Sequence, residues 1–234
     1  MKTAACQVWL IVPIAIAPAF AQGTLQAWSI RAATVAIPNV CGEGLGAGVP
    51  SIAVAQFPDP EYVHALSKSE IRSLESEATG LSHETVGLTH IVTGGVEVRT
   101  TEAIAQNGTR CVVVEAVKIF PMKRVTVYMP REYPEGSCNY EVLKRHEDEH
   151  VAIARRLLRE YGPKFVAAIR DVRLESRGFA AWVDDENVSN ERFASEVQPA
   201  VQTILDELHS AMKARNRAFD AGDTERALRE CPFW

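Results

Sequence analysis

Short runs of β-branched residues alternate with turn-forming residues in the first half of the chain. The runs centre on residues 90–92, 96–98, 111–114 and 125–129, and Gly-Gly, Asn-Gly and Pro separate them. β-branched residues favour strands, and Asn-Gly favours a tight hairpin turn. The pattern predicts a small antiparallel sheet in this half of the chain, with a hairpin turn at 106–109.

After Pro134 the apolar residues recur at intervals of three and four, which is the period of a helix. We expect Gly162-Pro163 to end the first of these helices and Gly222 to end the third, because both residue types interrupt helices. Strands followed by helices are typical of an α+β domain, with about three helices packed on one sheet face. The predicted helices span 139–161, 163–177 and 189–221, with short ones near 66–74 and after Asp223.

The first 21 residues have the three parts of a secretory signal peptide. Lys2 provides the positive charge, Val8–Ala17 the apolar stretch and Ala19-Phe20-Ala21 the cleavage site. The apolar stretch is shorter than the ~20 residues that a membrane span needs, and no later segment approaches that length. We therefore predict a periplasmic or secreted protein in which residues 22–234 form a single domain that does not span a membrane.

Charge and cysteine content narrow the picture further. The formal net charge is −5 at pH 7, which argues against nucleic acid as a partner because such surfaces need clustered positive charge. Export would place Cys41, Cys111, Cys138 and Cys231 in an oxidising compartment, where they could form two disulfides in any of three pairings. We favour Cys41–Cys111 with Cys138–Cys231, because the first two lie in the N-terminal half and the others flank the helical half.

The first predicted C-terminal helix contains the pattern His146-Glu147-x-x-His150. Residues four apart lie on the same face of a helix, so both imidazoles can reach one ion, and Glu147 is close enough to accept a proton from a metal-bound water. The apolar stripe of the helix includes Glu147 and His150 and has His146 at its edge. Burying such groups without partners is costly, and a metal ion would compensate them. The alternative is a buried Glu–His or Glu–Arg pair without a metal.

From Val125 to the C-terminus, the chain resembles the zincin metallopeptidases. It resembles more closely a bacterial family of secreted zinc-dependent proteases whose function is largely unassigned. The features shared with that family are a Thr-Val-Tyr-Met-Pro strand end, a Cys before the helix, His-Glu-x-x-His, and a closing segment with Ala218-Phe219-Asp220 and Thr224.

The resemblance implies that His146 and His150 bind zinc and that Glu147 is the general base. Two features depart from the zincin pattern. Asp148-Glu149 stands where zincins usually have uncharged residues, although the helix wheel turns both side chains toward solvent. Arg156 stands where the extended motif would place a third His, so the third ligand must come from elsewhere.

Asp220 is our choice for the third ligand. It matches an Asp in the closing segment of the resembling family, and an acid at a helix C-terminus has no capping role. A Cys138–Cys231 disulfide would also draw this part of the chain toward the motif. We interpret Asp223 as the N-cap of the last short helix and Glu225 as a first-turn acid. The other candidates are Glu175, Asp184, Asp185, Glu186 and His209.

Together these features predict an exported zinc-dependent hydrolase, with a peptidase preferred and with a peptide or another amide as substrate. Two other hypotheses stay open. One is a non-catalytic zinc-binding envelope protein, and the other is a periplasmic interaction module in which the motif is fortuitous.

Overall fold

The computed structural model describes residues 50–79, 86–104, 110–172, 180–183 and 190–231. These residues form seven strands and three helices. The strands are β1 (Ser51–Val54), β2 (Glu61–Val63), β3 (Leu88–Val92), β4 (Val96–Ile104), β5 (Arg110–Ile119), β6 (Arg124–Tyr128) and β7 (Ala180–Val183). The helices are α1 (Lys68–Thr79), α2 (Cys138–Asp171) and α3 (Asn190–Glu230).

The described strands form two small sheets. In the first sheet, β5 pairs with the antiparallel strand β4 along one side. On its other side, the first half of β5 pairs with the antiparallel strand β7, and the second half pairs with the parallel strand β1. In the second, β6 lies between β2, which is parallel to it, and β3, which is antiparallel. The α+β class is confirmed, but the prediction of one antiparallel sheet was wrong. The parallel partners β1 and β2 pair over long sequence separations, which leave no local signal in the sequence.

Helix α2 continues through Gly162 and Pro163, so the prediction that it ends there was wrong. Its first turn is capped by the Ser137 hydroxyl, which accepts a hydrogen bond from the backbone N–H of Tyr140 at 3.2 Å. The helix continues because the apolar residues on both sides of the Gly-Pro pair, such as the fully buried Phe165, pack into one core. Tertiary packing therefore outweighs the local preference of Gly-Pro for a helix end.

Helix α3 is also longer than predicted, because it continues through Gly222 to Glu230. The predicted separate helix after Asp223 is the last part of α3. Three interpretations were wrong for this reason: Asp223 is not an N-cap, Glu225 is not in the first turn of a helix, and Asp220 is not at a helix C-terminus. The sulfur atoms of Cys138 and Cys231 lie at disulfide distance, with 6.0 Å between the Cα atoms, so this predicted pair is confirmed. It joins the start of α2 to the end of α3.

A single core cluster contains residues of both sheets and of α2 and α3. Helix α2 contacts α3, β1 and β3, and α3 also contacts β4. Leu157 of α2 and Leu208 and Met212 of α3 are completely buried. The core therefore holds α2 and α3 against each other, and this contact brings the side chains of the motif opposite those of α3.

Other predictions concern residues outside the described part of the chain. They are the signal peptide at 1–21, the hairpin turn at 106–109, the Cys41–Cys111 pair, and the ligand candidates Glu175, Asp184, Asp185 and Glu186. Export therefore stays a prediction. Among the helices that are described, none combines the length and the apolar character needed to cross a membrane.

Candidate metal centre

The structure brings His146, His150 and Asp220 together between α2 and α3. The two histidines lie one turn apart on α2, and Asp220 faces them from α3. Their exposed fractions are 4%, 3% and 4%. The three residues chosen from the sequence as metal ligands therefore form one buried group that could hold a metal ion.

The distances between the donor atoms suit a shared ion. The two Nε2 atoms of His146 and His150 are 3.0 Å apart. Asp220 Oδ1 lies 3.1 Å from the Nε2 of His150 and 3.5 Å from that of His146. In a tetrahedral zinc site with bonds of about 2.0–2.1 Å, neighbouring donor atoms are about 3.3 Å apart. The three observed distances bracket that value.

In the neutral rings, hydrogen bonds to the Nδ1 atoms leave the Nε2 atoms as acceptors. The Nδ1 of His146 lies 2.7 Å from a carboxylate oxygen of Asp223, which can only accept a hydrogen bond when ionised. The Nδ1 of His150 lies 3.0 Å from Oδ1 of Asn216, whose Nδ2 donates to the Met212 carbonyl at 2.7 Å. Both Nδ1 atoms therefore carry a proton, and both Nε2 lone pairs point toward the space shared with Asp220. This support of a histidine by its second nitrogen is usual in metal sites.

The site favours positive charge between these groups. Burial alone would lower the pKa of His150, but its hydrogen bond with Asp220, the charges of Glu147 and Asp220, and the hydrogen bond with Asn216 outweigh it and raise the pKa. Two Nε2 lone pairs 3.0 Å apart also repel unless a cation lies between them. A proton on His150 can supply that charge in a buried ion pair, and a metal ion can supply it in a metal site.

Asp223 supports the site through His146 and is not the helix cap that the sequence pattern indicated. Besides its contact with His146, its other carboxylate oxygen is paired with Arg226. Burial opposes ionisation of Asp223, but the hydrogen bond and charge of His146 and the charge of Arg226 hold its pKa below the ordinary value. Asn216, Asp220 and Asp223 are spaced by four and three residues, which places them on one face of a continuous helix. That spacing would have revealed them together if Gly222 had not indicated a helix end.

Glu147 lies on the same helix as the two histidines but contacts a different neighbour. It is 1% exposed, and its Oε2 accepts a hydrogen bond of 2.6 Å from the Thr89 hydroxyl on β3. Its charge is still close enough to raise the pKa of His150. Thr89 carries no recognisable signal in the sequence, because its role depends on how β3 packs against α2.

An aromatic ring closes one side of the histidine pair. The ring of Phe219 lies with its centroid 5.0 Å from that of His146 and 5.2 Å from that of His150. Phe219 precedes Asp220 on α3, so the same turn of helix supplies both the carboxylate and the apolar contact. This contact limits the access of water to the imidazoles from that side.

His209, the remaining candidate whose side chain the structure describes, lies outside this group. It is half-buried on α3, where burial lowers its pKa. Within the motif, Asp148 accepts a hydrogen bond from Lys144 and another from Tyr62. Glu149 pairs with Arg156 at 2.6 Å. The side chain of Glu225 is not among those that the structure describes.

No protein family, curated protein or solved structure gives a significant match to this chain. The resemblance to zincin metallopeptidases therefore stays a prediction from the motif.

Proposed function

We propose that this protein is a zinc-dependent hydrolase, with peptides or other amides as substrates. The observation that carries the proposal is the convergence of three buried donor atoms, from His146, His150 and Asp220, at the separations of neighbouring zinc ligands. A tetrahedral ion bound by three protein atoms keeps one position for water or substrate, as catalytic zinc sites require.

The types of donor support zinc as the metal. Two imidazoles and one carboxylate are a known ligand set of catalytic zinc, and the hydrogen-bonded Nδ1 atoms hold both rings in the metal-binding tautomer. Iron(II) accepts the same donors in non-haem enzymes. A metal analysis of the purified protein separates these two ions directly.

Among the described residues, we assign the general base to Glu147. Zinc, when bound, supplies the positive charge that lowers the pKa of a coordinated water. The Glu147 carboxylate would accept a proton from that water as its oxygen attacks the carbonyl carbon. It would then pass the proton to the departing nitrogen as the carbon–nitrogen bond breaks, which yields a carboxylic acid and an amine. Its position next to His146 in the motif and its electrostatic effect on His150 support this role.

A second candidate is a structural zinc site without catalysis. The observation that favours it is the deep burial of all three candidate ligands, with Phe219 packed against both imidazoles, because structural sites keep no coordination position open. The Cys138–Cys231 pair, which ties the ends of the two helices together, fits such a stabilising role equally well. The two candidates share the metal and differ in the function of Glu147.

Metal content and hydrolysis of a broad peptide library test both candidates. The hydrolase proposal predicts one zinc per purified chain, loss of zinc in His150→Ala, and retained zinc with lost hydrolysis in Glu147→Gln. Matched controls are His209→Ala and Glu149→Gln, which change the same residue types outside the cluster and should alter neither property. Zinc without hydrolysis by the wild type supports the structural site. Metal-free protein, purified without chelator and unable to take up added zinc, contradicts both.

A further inference from the structure

The Glu147 carboxylate is held by a segment far away in the sequence. Thr89, 58 positions earlier, donates a hydrogen bond of 2.6 Å from its hydroxyl to Oε2. Both side chains are 1% exposed. A buried carboxylate needs such donors, because it has lost its hydrogen bonds to water. The hydroxyl also restricts rotation of the carboxylate, since rotation would break this bond.

Gly87 approaches the other oxygen of the same carboxylate. A Cβ added at Gly87 would lie 2.6 Å from Oε1 of Glu147 and 3.2 Å from its Cδ. It would also lie 3.0 Å from a methyl carbon of Leu143, one turn earlier on α2. The first distance is shorter than any ordinary contact, so the carboxylate can occupy its place only because residue 87 has no side chain. Thr89 and Gly87 therefore border different oxygens of one carboxylate.

Thr89 lies on β3 and Gly87 immediately precedes it, and this strand is firmly anchored. All five residues of β3 pair with β6, and Thr89 lies opposite the fully buried Val127. Leu88 and Ile91 on the same strand are 2% and 1% exposed. A paired strand with buried flanks positions a side chain more accurately than a loop can.

We propose that Thr89 and Gly87 are positioning residues, which fix the Glu147 carboxylate in the orientation needed for proton transfer. The inference rests on the proposed function, because it assigns the purpose of the contact to the general base. It concerns the substrate-independent part of the site, so it applies to any amide that the enzyme hydrolyses. Misplacement of a catalytic group by about 1 Å can reduce a rate by roughly 100-fold.

A purely structural contact between β3 and α2 predicts a different order of mutant effects. Thr89→Val keeps the shape and buried methyl group but removes the hydroxyl, whereas Thr89→Ser keeps the hydroxyl and removes a methyl group. If Thr89 only fills space, Thr89→Ser is the more damaging change. If Thr89 positions Glu147, Thr89→Val is the more damaging change for kcat, and Thr89→Ser retains most of the wild-type rate.

The kinetic experiment measures kcat, KM, zinc content and Tm for these variants and for Gly87→Ala. We expect Thr89→Val and Gly87→Ala to lose roughly 10- to 100-fold in kcat with one zinc still bound and with little change in KM. Thr126→Val on β6 removes another buried threonine hydroxyl of the same sheet and should leave kcat unchanged. Equal kcat values for Thr89→Val and Thr89→Ser would overturn the inference while leaving the hydrolase proposal intact. Gly87→Ala tests it through the other oxygen if Thr89→Val does not fold.

A second measurement keeps the inference independent of turnover. In protein labelled with ¹³C at glutamate carboxyl groups, the resonance of Glu147 is identified by its disappearance in Glu147→Gln. We expect the resonance to move in Thr89→Val and Gly87→Ala and to stay at the wild-type position in Thr89→Ser and Thr126→Val. An unmoved resonance in both Thr89→Val and Gly87→Ala would overturn the placement itself. If the wild type hydrolyses nothing while the resonance moves as expected, the proposed function is wrong, but the placement of the Glu147 carboxylate by Thr89 and Gly87 is supported.

Discussion

Asn216 fixes the ring orientation of His150. Its Nδ2 donates to the Met212 carbonyl, so its Oδ1 faces the imidazole and accepts the Nδ1 proton. The amide cannot be turned over without losing both hydrogen bonds in a place where Asn216 is completely buried. The consequence is that the Nε2 of His150 points toward Asp220, where a metal ion would lie.

Replacing Asn216 with Ala should weaken zinc binding without removing a ligand. We expect a loss of roughly 10- to 100-fold in affinity, because the ring of His150 loses the partner that selects its tautomer and orientation. The measurement is a zinc titration against a competing chelator. The matched control is Arg217→Ala, an exposed neighbour on α3, which should bind zinc like the wild type. Unchanged affinity in Asn216→Ala would contradict the supporting role.

Asp223→Asn tests whether a negative charge is needed beside His146, because asparagine has nearly the same shape as aspartate but carries no charge. If the negative charge of Asp223 supports His146, as the 2.7 Å contact indicates, the substitution should lower zinc affinity by roughly 10- to 100-fold. Affinity is measured against a competing chelator, with Glu230→Gln as control because Glu230 pairs with the same Arg226 but not with His146. Equal affinity in both variants would contradict the supporting role of the Asp223 charge.

The parts of the site that the sequence predicted are those with a local signal. His146, Glu147 and His150 are found from their spacing within two turns of one helix, and the structure buries all three. Asp220 is in the right place although part of the argument for it was wrong, because α3 does not end there. The predicted Cys138–Cys231 pair, which places the end of α3 beside the start of α2, was the part of the argument that the structure confirms.

The missed parts depend on contacts between distant segments. Asn216, Asp223 and Thr89 support the candidate ligands and base only once α3 and β3 lie against α2. Likewise, β1 pairs with residues 116–119, more than 60 positions away, and nothing near β1 indicates a parallel partner. The α+β class could be predicted because it follows from the order of local elements.

Gly222→Ala tests whether α3 is continuous at the site. Gly222 is exposed, and an added Cβ would meet no atom within 4 Å. In a continuous helix, the substitution should raise the free energy of unfolding by about 0.5–1 kcal/mol, because alanine loses less backbone entropy than glycine. The measurement is a urea denaturation curve. Gly136→Ala is the contrasting variant: Gly136 has φ = 80°, so alanine there should destabilise the protein. A destabilised Gly222→Ala would indicate a helix end.

Loss of the Cys138–Cys231 bond should destabilise the protein and weaken its metal site together. The two residues are 93 positions apart, and closing a loop of this length stabilises proteins by roughly 2–5 kcal/mol. Asp220 and Asp223 lie within the last three turns of α3, close to the disulfide. Fraying of this helix end would therefore separate them from the two histidines. The double Cys→Ser variant is compared with wild type by urea denaturation and zinc titration. Unchanged zinc affinity would show that core packing alone holds the helix end.

The raised pKa of His150 predicts opposite pH dependence of stability with and without zinc. A histidine with a raised pKa in the folded state contributes stability below its unfolded pKa of about 6.5 and loses it as pH rises through the folded value. Metal-free protein should therefore become less stable as pH rises through this range. Zinc must displace the proton, so zinc-loaded protein should gain stability over the same range.

Thermal unfolding with EDTA or with excess zinc, from about pH 5.5 to 8.5, measures this difference. Burial lowers the pKa of His90 and His209, which contributes a stability change of the opposite sign in the metal-free protein. That contribution is common to both series, because neither residue belongs to the cluster, and it cancels in the difference between them. Asp223 has a lowered pKa and titrates below the window, so it does not contribute. In His150→Ala the two curves should coincide, because the variant has lost both the titrating group and a zinc ligand. Parallel curves for the wild-type protein would mean that zinc and the proton do not compete at His150, and the metal would then have to be bound elsewhere.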